Sequence, residues 1–266
     1  MLMTNSEPTA EPRTPWYDRP WAALIFFTRL PFWRLHQPTK ESYRSVVEWW
    51  PLAGWITGGV MAAVLYCSSM LFSPALAVVL AMVARVLLTG ALHEDGLADF
   101  IDGFGGGGSD RERILAIMKD SRIGTYGVLG LVFYALLLFF ALYAMPAQLA
   151  ALCILAADPF SKMVAGQVIM MLPYARTEET AKSKTVYRRP SMLAGVGLAV
   201  QGLLPMGFFL WLTGINWEYV LFVPAVVMYF LYLLIWRRLR GYTGDCCGAL
   251  CLLVELTVYL VVAALL

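Results

Sequence analysis

Long apolar runs, separated by short polar segments, dominate the hydrophobic pattern of this chain. A membrane-spanning helix needs about 20 predominantly apolar residues in succession. The pattern therefore predicts an all-α, polytopic bundle of about seven transmembrane helices. They are expected at about 49–72, 74–94, 124–144, 147–172, 192–213, 218–236 and 246–266.

The start of the chain differs from the rest. Residues 1–20 are polar and contain four prolines, and are expected to form a disordered or surface segment. Residues 21–266 are expected to form a single integral-membrane catalytic domain. Within it, the short apolar stretch Trp21–Phe27 is followed by Arg29 and Arg34. This combination predicts an amphipathic helix that lies at the membrane interface.

Charged residues are few, and their distribution predicts the topology. Only 14% of the residues are charged, against about 25% in soluble domains. Because basic segments mark the cytoplasmic side of a membrane, the N-terminus is expected inside and the C-terminus outside. Four basic segments hold 18 of the 20 Lys and Arg residues, and they alternate along the chain with short connections that are nearly uncharged. The basic segments are 1–48, 104–123, 173–190 and 237–245.

Four carboxylates lie close together on the predicted cytoplasmic side, at Glu94, Asp95, Asp99 and Asp102. The spacing of the three aspartates places them on one face of a helix. Like charges on one face repel each other, so a cation is expected to offset them. Mg²⁺ prefers carboxylate oxygens and completes its shell with substrate phosphates. The pattern favours a metal-dependent enzyme that acts on phosphates, and the alternative is a solvated helix end.

Other polar groups on this side fit the same chemistry. His93 adjoins the carboxylates and is either a base or metal ligand, or hydrogen-bonded scaffolding. Arg122 is suited to binding a phosphate, and Asp120 to binding metal or accepting a proton. The alternative for this pair is a loop that sets topology. The glycines at 105–108 are costly in a helix, and are either an anion-binding backbone or a flexible hinge.

Charges within or beside the spans need partners, because burying a lone charge is expensive. Asp158 and Lys162 are four residues apart, so they either neutralise each other or place Lys162 against a phosphate. Arg85 is expected to pair with an acid, and Glu255 needs a partner or must be neutral. Asp245 begins the last span, where it is either a site residue or stabilised by the helix dipole.

Three motifs resemble those of a known family. They are His93–Gly103, Met118–Gly127 and Gly241–Ala249, and the approach Phe27–Pro31 is also similar. Together they resemble the cobalamin synthase family, whose members are adenosylcobinamide-GDP ribazoletransferases. The resemblance covers essentially the whole chain.

The resemblance implies a Mg²⁺-dependent enzyme of the bacterial inner membrane, or its archaeal equivalent, with its active site facing the cytoplasm. The implied substrates are adenosylcobinamide-GDP and α-ribazole or its 5′-phosphate. The 5′-hydroxyl attacks the phosphate that is attached to cobinamide, and GMP leaves. The product is adenosylcobalamin or its phosphate, at the last steps of cobalamin biosynthesis.

Within this reaction the polar residues take expected roles. One departure from the family is that Ser161 is followed by Lys162 where Ser-Arg is typical. With Lys in place of Arg, the two-pronged guanidinium contact is lost. The expected Mg²⁺ ligands are Glu94, Asp95, Asp99 and Asp102; the catalytic residues are Asp99, Asp102 and His93; and the substrate-binding residues are Arg122, Asp120, Lys162, Asp158, Asp245 and Arg85.

Two other functions compete with this interpretation. A CDP-alcohol phosphotransferase has related chemistry, but only part of its motif is present at residues 95–99. An ion-coupled transporter would explain buried carboxylates, but such transporters often contain internal repeats, and none is visible here. Membrane lipid is an expected partner and nucleic acid is not. The sequence leaves the oligomeric state open, including a homo-oligomer.

Overall fold

The computed structural model describes residues 14–176 and 187–266, and within them the fold is all-α, as predicted. The only extended pairing in this part of the chain is an isolated bridge between Tyr174 and Tyr242. Two 3₁₀ segments, Phe32–Arg34 and Lys40–Trp49, connect the first two helices. The helices are α1 (Asp18–Phe27), α2 (Trp50–Ser69), α3 (Pro74–Thr89), α4 (Leu92–Gly106), α5 (Arg111–Lys119), α6 (Thr125–Tyr143), α7 (Ala147–Met171), α8 (Met192–Thr213), α9 (Trp217–Leu239) and α10 (Gly244–Ala264).

The helices identify a multi-pass membrane protein. Within the described residues, six helical segments are long and apolar enough to span a membrane. They are Lys40–Ser69, which includes α2, and the five consecutive helices α6, α7, α8, α9 and α10. The bent pair α3 and α4 raises the total to seven if it is one span. Residues 1–13 and 177–186, which include much of the expected surface segment and part of one basic loop, lie outside the described residues.

The expectation of one continuous span at 74–94 was wrong, because α3 and α4 meet at 90°. Gly90 and Ala91 both have positive φ, at 65° and 58°, a conformation that ends a right-handed helix. Arg29 fixes the bend from outside the pair. Its backbone N–H donates to Leu88 O at 2.7 Å, and its guanidinium occupies the space that a side chain at Gly90 would need.

The helix ends lie in two groups, one at each end of the bundle, as the alternation of basic and nearly uncharged segments predicts. The ends of α2 and α6 and the starts of α3 and α7 surround one shallow pocket, which includes Ser69, Pro74, Tyr143 and Pro146. The end of α1, the starts of α2, α4 and α10, and the segment that follows α7 meet at the other end. Segments rich in Lys and Arg flank the second group. The bundle therefore has a basic end and, within the described residues, an opposite end that lacks Lys and Arg.

Two helices form the centre of the bundle. In their most apolar stretches, 78% of the residues of α7 and 72% of those of α10 are buried, against 22% for α8 and α9. Helix α2 packs tightly against α7 because Gly54 and Gly58 have no side chain. A Cβ at Gly54 would lie 2.8 Å from Pro159 Cα. Small residues spaced by four commonly permit such close helix packing in membranes.

The outer helices present large apolar side chains outward. Most of the surface of Phe133, Phe140, Trp211 and Phe222 is exposed. In water such a surface would promote aggregation, but in a bilayer it faces hydrocarbon of similar polarity. The exposed faces of α6, α8 and α9 therefore have the apolar composition of membrane-spanning helices.

Asp102 joins α4 to the start of α6. Gly124 N–H donates to Asp102 Oδ2 at 2.6 Å, and Gly127 N–H donates to Asp102 Oδ1 at 2.8 Å. These amides belong to the first turn of α6, where no partner exists within the helix. The carboxylate lies where side chains at both glycines would project. The two motifs therefore form one structural unit, in which Asp102 caps α6.

Replacing Gly127 by Ala is expected to lower the stability of the protein. The added Cβ would collide with Asp102 and lie 3.0 Å from Ala98 O, so the carboxylate must leave its two amides at a cost of about 1–3 kcal/mol. The measurement is the midpoint of thermal unfolding in detergent. The matched control is Gly59→Ala in α2, where a Cβ would meet nothing within 4 Å. Equal midpoints for both variants would contradict the capping role.

The glycine run forms the end of α4. The helix continues through Gly106 and has Gly107 as its C-cap, so it ends within the run, in line with the expectation that the glycines are costly in a helix. A Cβ at Gly107 would lie 2.9 Å from the Cα of Ile114 in α5. Arg238 Nη1 donates to Phe104 O at 2.8 Å and to Gly108 O at 2.9 Å. Close packing and an arginine cap therefore explain this helix end.

Candidate functional site

A cavity at the basic end brings together five separate parts of the chain. The end of α1 and the start of α2 form one side, and the starts of α4 and α10 form another. The segment that follows α7 closes it. The cavity is lined by Phe26, Phe27, Val47, Trp50, Leu92, His93, Asp95, Gly96, Tyr174, Arg176, Tyr187, Thr243, Gly244, Asp245, Cys247 and Gly248.

Two glycines allow the starts of α4 and α10 to touch. A Cβ at Gly96 would lie 3.2 Å from both Cα and O of Asp245, and a Cβ at Gly248 would lie 3.3 Å from His93 O. The first and third motifs therefore pack backbone against backbone. As a result, Asp95 and Asp245 line the same cavity although 150 residues separate them in the sequence.

The electrostatics at this junction suit an anionic ligand that is bound together with a cation. The first turns of α4 and α10 line the cavity, and a helix N-terminus carries a partial positive charge and free N–H donors. Thr243 fixes the start of α10, since its Oγ1 accepts a hydrogen bond from Cys246 N–H at 3.3 Å. The carboxylates of Asp95 and Asp245 supply negative charge next to these positive ends.

Arg176 adds a positive side chain that the sequence did not identify as a site residue. Short backbone pairing holds its segment: Ala175 N–H donates to Tyr242 O at 2.8 Å, and Tyr242 N–H donates to Pro173 O at 2.9 Å. Arg176 Nη2 donates to Leu115 O at 2.8 Å. Its place in a basic loop suggested only topology, because this long-range pairing leaves no local signal.

Two tyrosines from the same segment also line the cavity. Burial raises the pKa of Tyr174, and it raises the pKa of Tyr187 well above the ordinary value. Both phenols are therefore neutral hydrogen-bonding groups at physiological pH. The sequence analysis did not single out either of them.

Three aromatic side chains, Phe27, Trp50 and His93, form an aromatic wall of the cavity. Their planes are parallel to within 15°. Their ring centroids are 5.2 Å apart for Phe27 and Trp50, 5.8 Å for Trp50 and His93, and 6.2 Å for Phe27 and His93. The nitrogens Trp50 Nε1 and His93 Nε2 are buried and have no hydrogen-bond partner within residues 14–176 and 187–266.

The four carboxylates predicted as metal ligands share helix α4 but reach different surroundings. Asp95 lines the cavity, and Asp99 lies one turn further along. Asp102 caps α6, and Glu94 Oε1 lies 3.8 Å from Arg85 Nη2. Across the part of the chain that the structure describes, no three His, Cys, Asp or Glu side chains are grouped as a metal shell. Their roles in metal binding and catalysis stay predictions.

Arg85 lies in a buried network in the middle of the bundle. Its Nη1 donates to Glu255 Oε1 at 2.6 Å, and its Nη2 donates to Tyr134 Oη at 2.6 Å. Tyr259 Oη also donates to Glu255 Oε1. The expectation that Arg85 pairs with an acid is therefore confirmed. It is not among the residues that line the cavity, so its role in substrate binding stays a prediction.

Lys162 and Asp158 form a buried ion pair inside α7. Thr57 Oγ1 from α2 donates to the second oxygen of Asp158 at 2.8 Å. The pair therefore neutralises itself, and it also receives a hydrogen bond across the α2–α7 interface. The structure places neither residue in the lining of the cavity, and a role of Lys162 in binding phosphate stays a prediction.

Asp120 and Arg122 pair with each other on the surface between α5 and α6. Arg122 Nη2 donates to Asp120 Oδ2 at 2.8 Å, and Arg122 Nε and N–H donate to the same carboxylate. These hydrogen bonds lower the pKa of Asp120 to about 2. The pair is not part of the cavity lining, and its predicted contact with substrate is untested.

Comparison with known proteins identifies the family. The model of the cobalamin-5-phosphate synthase family matches residues 19–263. The adenosylcobinamide-GDP ribazoletransferase of Shewanella frigidimarina is 37% identical over 248 residues, covering 91% of this chain and 92% of the relative. The Vibrio cholerae protein of that name is 36% identical, covering 92% of each chain. That of Leptothrix cholodnii is 39% identical, covering 90% of this chain and 92% of the relative.

No solved structure gives a significant match to this chain. The family match spans every helix of the bundle except the first residue of α1 and the last residue of α10. It also contains all three motifs that resemble cobalamin synthase and every residue that lines the cavity. The chain belongs to the cobalamin-5-phosphate synthase family.

Proposed function

We propose that this protein joins adenosylcobinamide-GDP to α-ribazole, or to its 5′-phosphate, and releases GMP. The names of its relatives state the donor and the ribazole transfer. The structural observation that carries the proposal is the meeting of Asp95 and Asp245 in one cavity. Family membership does not favour a CDP-alcohol phosphotransferase or a transporter.

Mg²⁺ is the proposed cofactor, and the residues of the cavity fit it. Mg²⁺ is commonly bound by one or two carboxylates together with substrate phosphates, without a complete protein shell. Asp95 and Asp245, which line the same cavity, would hold it. When bound, it would neutralise charge on the pyrophosphate and stabilise the charge that develops during transfer.

The chain's own residues have two tasks in the proposed reaction. Arg176 and the first turns of α4 and α10 bind phosphate oxygens. A base accepts the proton of the 5′-hydroxyl as its oxygen bonds to the phosphorus beside cobinamide, and the bond to GMP breaks with its electron pair. We assign this base to Asp99, which lies one turn beyond the cavity residue Asp95 on the same helix.

We also propose that the cavity faces the cytoplasm in the bacterial inner membrane. Basic segments surround the end of the bundle that holds the cavity, and such segments favour the cytoplasmic side. The exposed residues Trp33 and Leu35 flank Arg34 in the sequence, and Trp16 is exposed as well. This composition supports contact of the N-terminal region with lipid at the interface.

The proposed activity is tested by GMP release from the purified protein in detergent. With adenosylcobinamide-GDP, α-ribazole and Mg²⁺, we expect GMP to be released. EDTA is expected to stop the release, and excess Mg²⁺ to restore it. Omission of α-ribazole is the control for simple hydrolysis. If folded wild-type protein releases no GMP, the transferase assignment is wrong, and a transporter becomes the better interpretation.

A further inference from the structure

We infer that the aromatic wall formed by Phe27, Trp50 and His93 is the binding subsite for the bicyclic heteroaromatic base of a nucleoside substrate. This inference deepens the proposed function and rests on it for the identity of the nucleosides. Both proposed substrates carry such a base: guanine in the donor, and benzimidazole in α-ribazole. The chemistry shared by the two sources is a flat, apolar ring face with polar ring edges.

The geometry of the wall suits stacking. The three rings come from the end of α1, the start of α2 and the first turn of α4, yet their planes agree to within 15°. Aromatic pairs prefer either edge-to-face or offset-stacked contacts; Phe27 meets Phe26 edge to face at 83° but is nearly parallel to Trp50 and His93. A set of parallel, offset rings beside a cavity accommodates one more flat ring parallel to it.

The polar atoms of the wall point to a ligand as well. Trp50 and His93 are 2% and 4% exposed, and the nitrogens Trp50 Nε1 and His93 Nε2 lack hydrogen-bond partners in the described part of the chain. Buried polar groups are nearly always satisfied. A heterocyclic base supplies both donors and acceptors at its edge, so a small ring movement on binding would satisfy both nitrogens.

The remainder of the cavity matches the rest of a nucleotide. Asp95 and Asp245 lie at the junction of α4 and α10 in the same cavity as the wall. The proposed phosphate and metal chemistry belongs to that junction. A nucleoside with its base against Phe27 therefore directs its ribose and 5′ oxygen towards the carboxylates.

The test measures equilibrium binding of three probes to the full-length protein in detergent. The probes are GDP, α-ribazole and ribose 5-phosphate, which has no base. We expect wild type to bind GDP or α-ribazole, and ribose 5-phosphate not to bind at the same concentrations. Hypochromism of the bound base reports stacking in wild type itself, so this part of the test needs no variant.

The variants Phe27→Leu and Phe27→Tyr separate the ring from its apolar volume. Phe27→Leu is expected to weaken binding of one base-bearing probe roughly tenfold, the size typical of stacking of a base on an aromatic ring. Phe27→Tyr retains the ring and is expected to bind like wild type. The control is Phe209→Leu in α8; Phe209 is also buried, at 2% exposure against 4% for Phe27, and does not line the cavity.

Each outcome decides the inference. A selective loss for GDP assigns the wall to the donor's guanine, and a selective loss for α-ribazole assigns it to the acceptor. Unchanged binding of both in Phe27→Leu, absence of hypochromism, or equal binding of ribose 5-phosphate overturns the subsite. GMP release by wild type together with unchanged binding in Phe27→Leu rejects the subsite alone. Base-dependent binding without GMP release rejects the proposed function alone.

Discussion

Replacing Asp95 by Asn is expected to reduce GMP release roughly 100-fold or more, because the carboxylate charge is worth several kcal/mol in stabilising phosphoryl transfer. Asn has nearly the same shape, so the contact between α4 and α10 stays intact. The side chain of Asp95 is exposed to the cavity. Its loss is therefore expected to leave the midpoint of thermal unfolding within a degree or two of wild type.

The measurement is kcat/KM for GMP release at several Mg²⁺ concentrations. A carboxylate that holds Mg²⁺ predicts that the variant needs more metal for half-maximal rate than wild type does. The matched control is Glu112→Gln, which removes an exposed carboxylate from the first turn of α5, outside the cavity. We expect the control to stay within about twofold of wild type. Full activity of Asp95→Asn would remove this carboxylate from the proposed mechanism.

Hydropathy and charge predict most of the fold, and they fail where a distant contact bends the chain. The helices α6 to α10 fall close to the predicted spans, because about 20 apolar residues have few alternatives in a bilayer. The bend at Gly90 and Ala91 has no such signal, since Ala91 is a residue that favours helix. Its conformation depends on Arg29, more than 50 residues earlier in the chain.

The candidate site shows the same limit. The spacing of Asp95, Asp99 and Asp102 correctly places them on one helix. Periodicity does not reveal that Asp102 caps another helix, because this role depends on two amides in α6. Nor does it reveal that Asp95 shares a cavity with Asp245. Composition identifies carboxylates, whereas their roles depend on which helix packs opposite each one.

Aromatic residues and the segment after α7 were missed for a related reason. Trp50 and Phe27 belong to apolar stretches in which any aromatic fits the hydrophobic pattern. Their parallel arrangement exists only because two helix ends meet the first turn of α4. Of the cavity residues beyond the motifs, Phe27 alone had a signal, since it begins the approach Phe27–Pro31 that resembles the family.

Replacing Arg85 by Met is expected to destabilise the protein by about 3–5 kcal/mol, because it leaves Glu255 as an uncompensated charge in the middle of the bundle. Arg85 and Glu255 are 4% and 1% exposed, so water cannot replace the lost partner. The measurement is the midpoint of thermal unfolding in detergent. The control is Arg113→Met, which removes an exposed arginine of α5 and is expected to unfold like wild type.

The double variant Arg85→Met/Glu255→Met separates a structural role from substrate binding. The double variant contains neither charge of the pair, so no unpaired charge stays buried. Apolar replacements of buried ion pairs are often neutral for stability. We therefore expect the double variant to unfold at a higher temperature than Arg85→Met. Recovery of GMP release along with stability means that Arg85 only supports the fold. A stable but inactive double variant means that Arg85 acts on substrate, as the sequence predicts. A double variant no more stable than Arg85→Met would contradict the pairing.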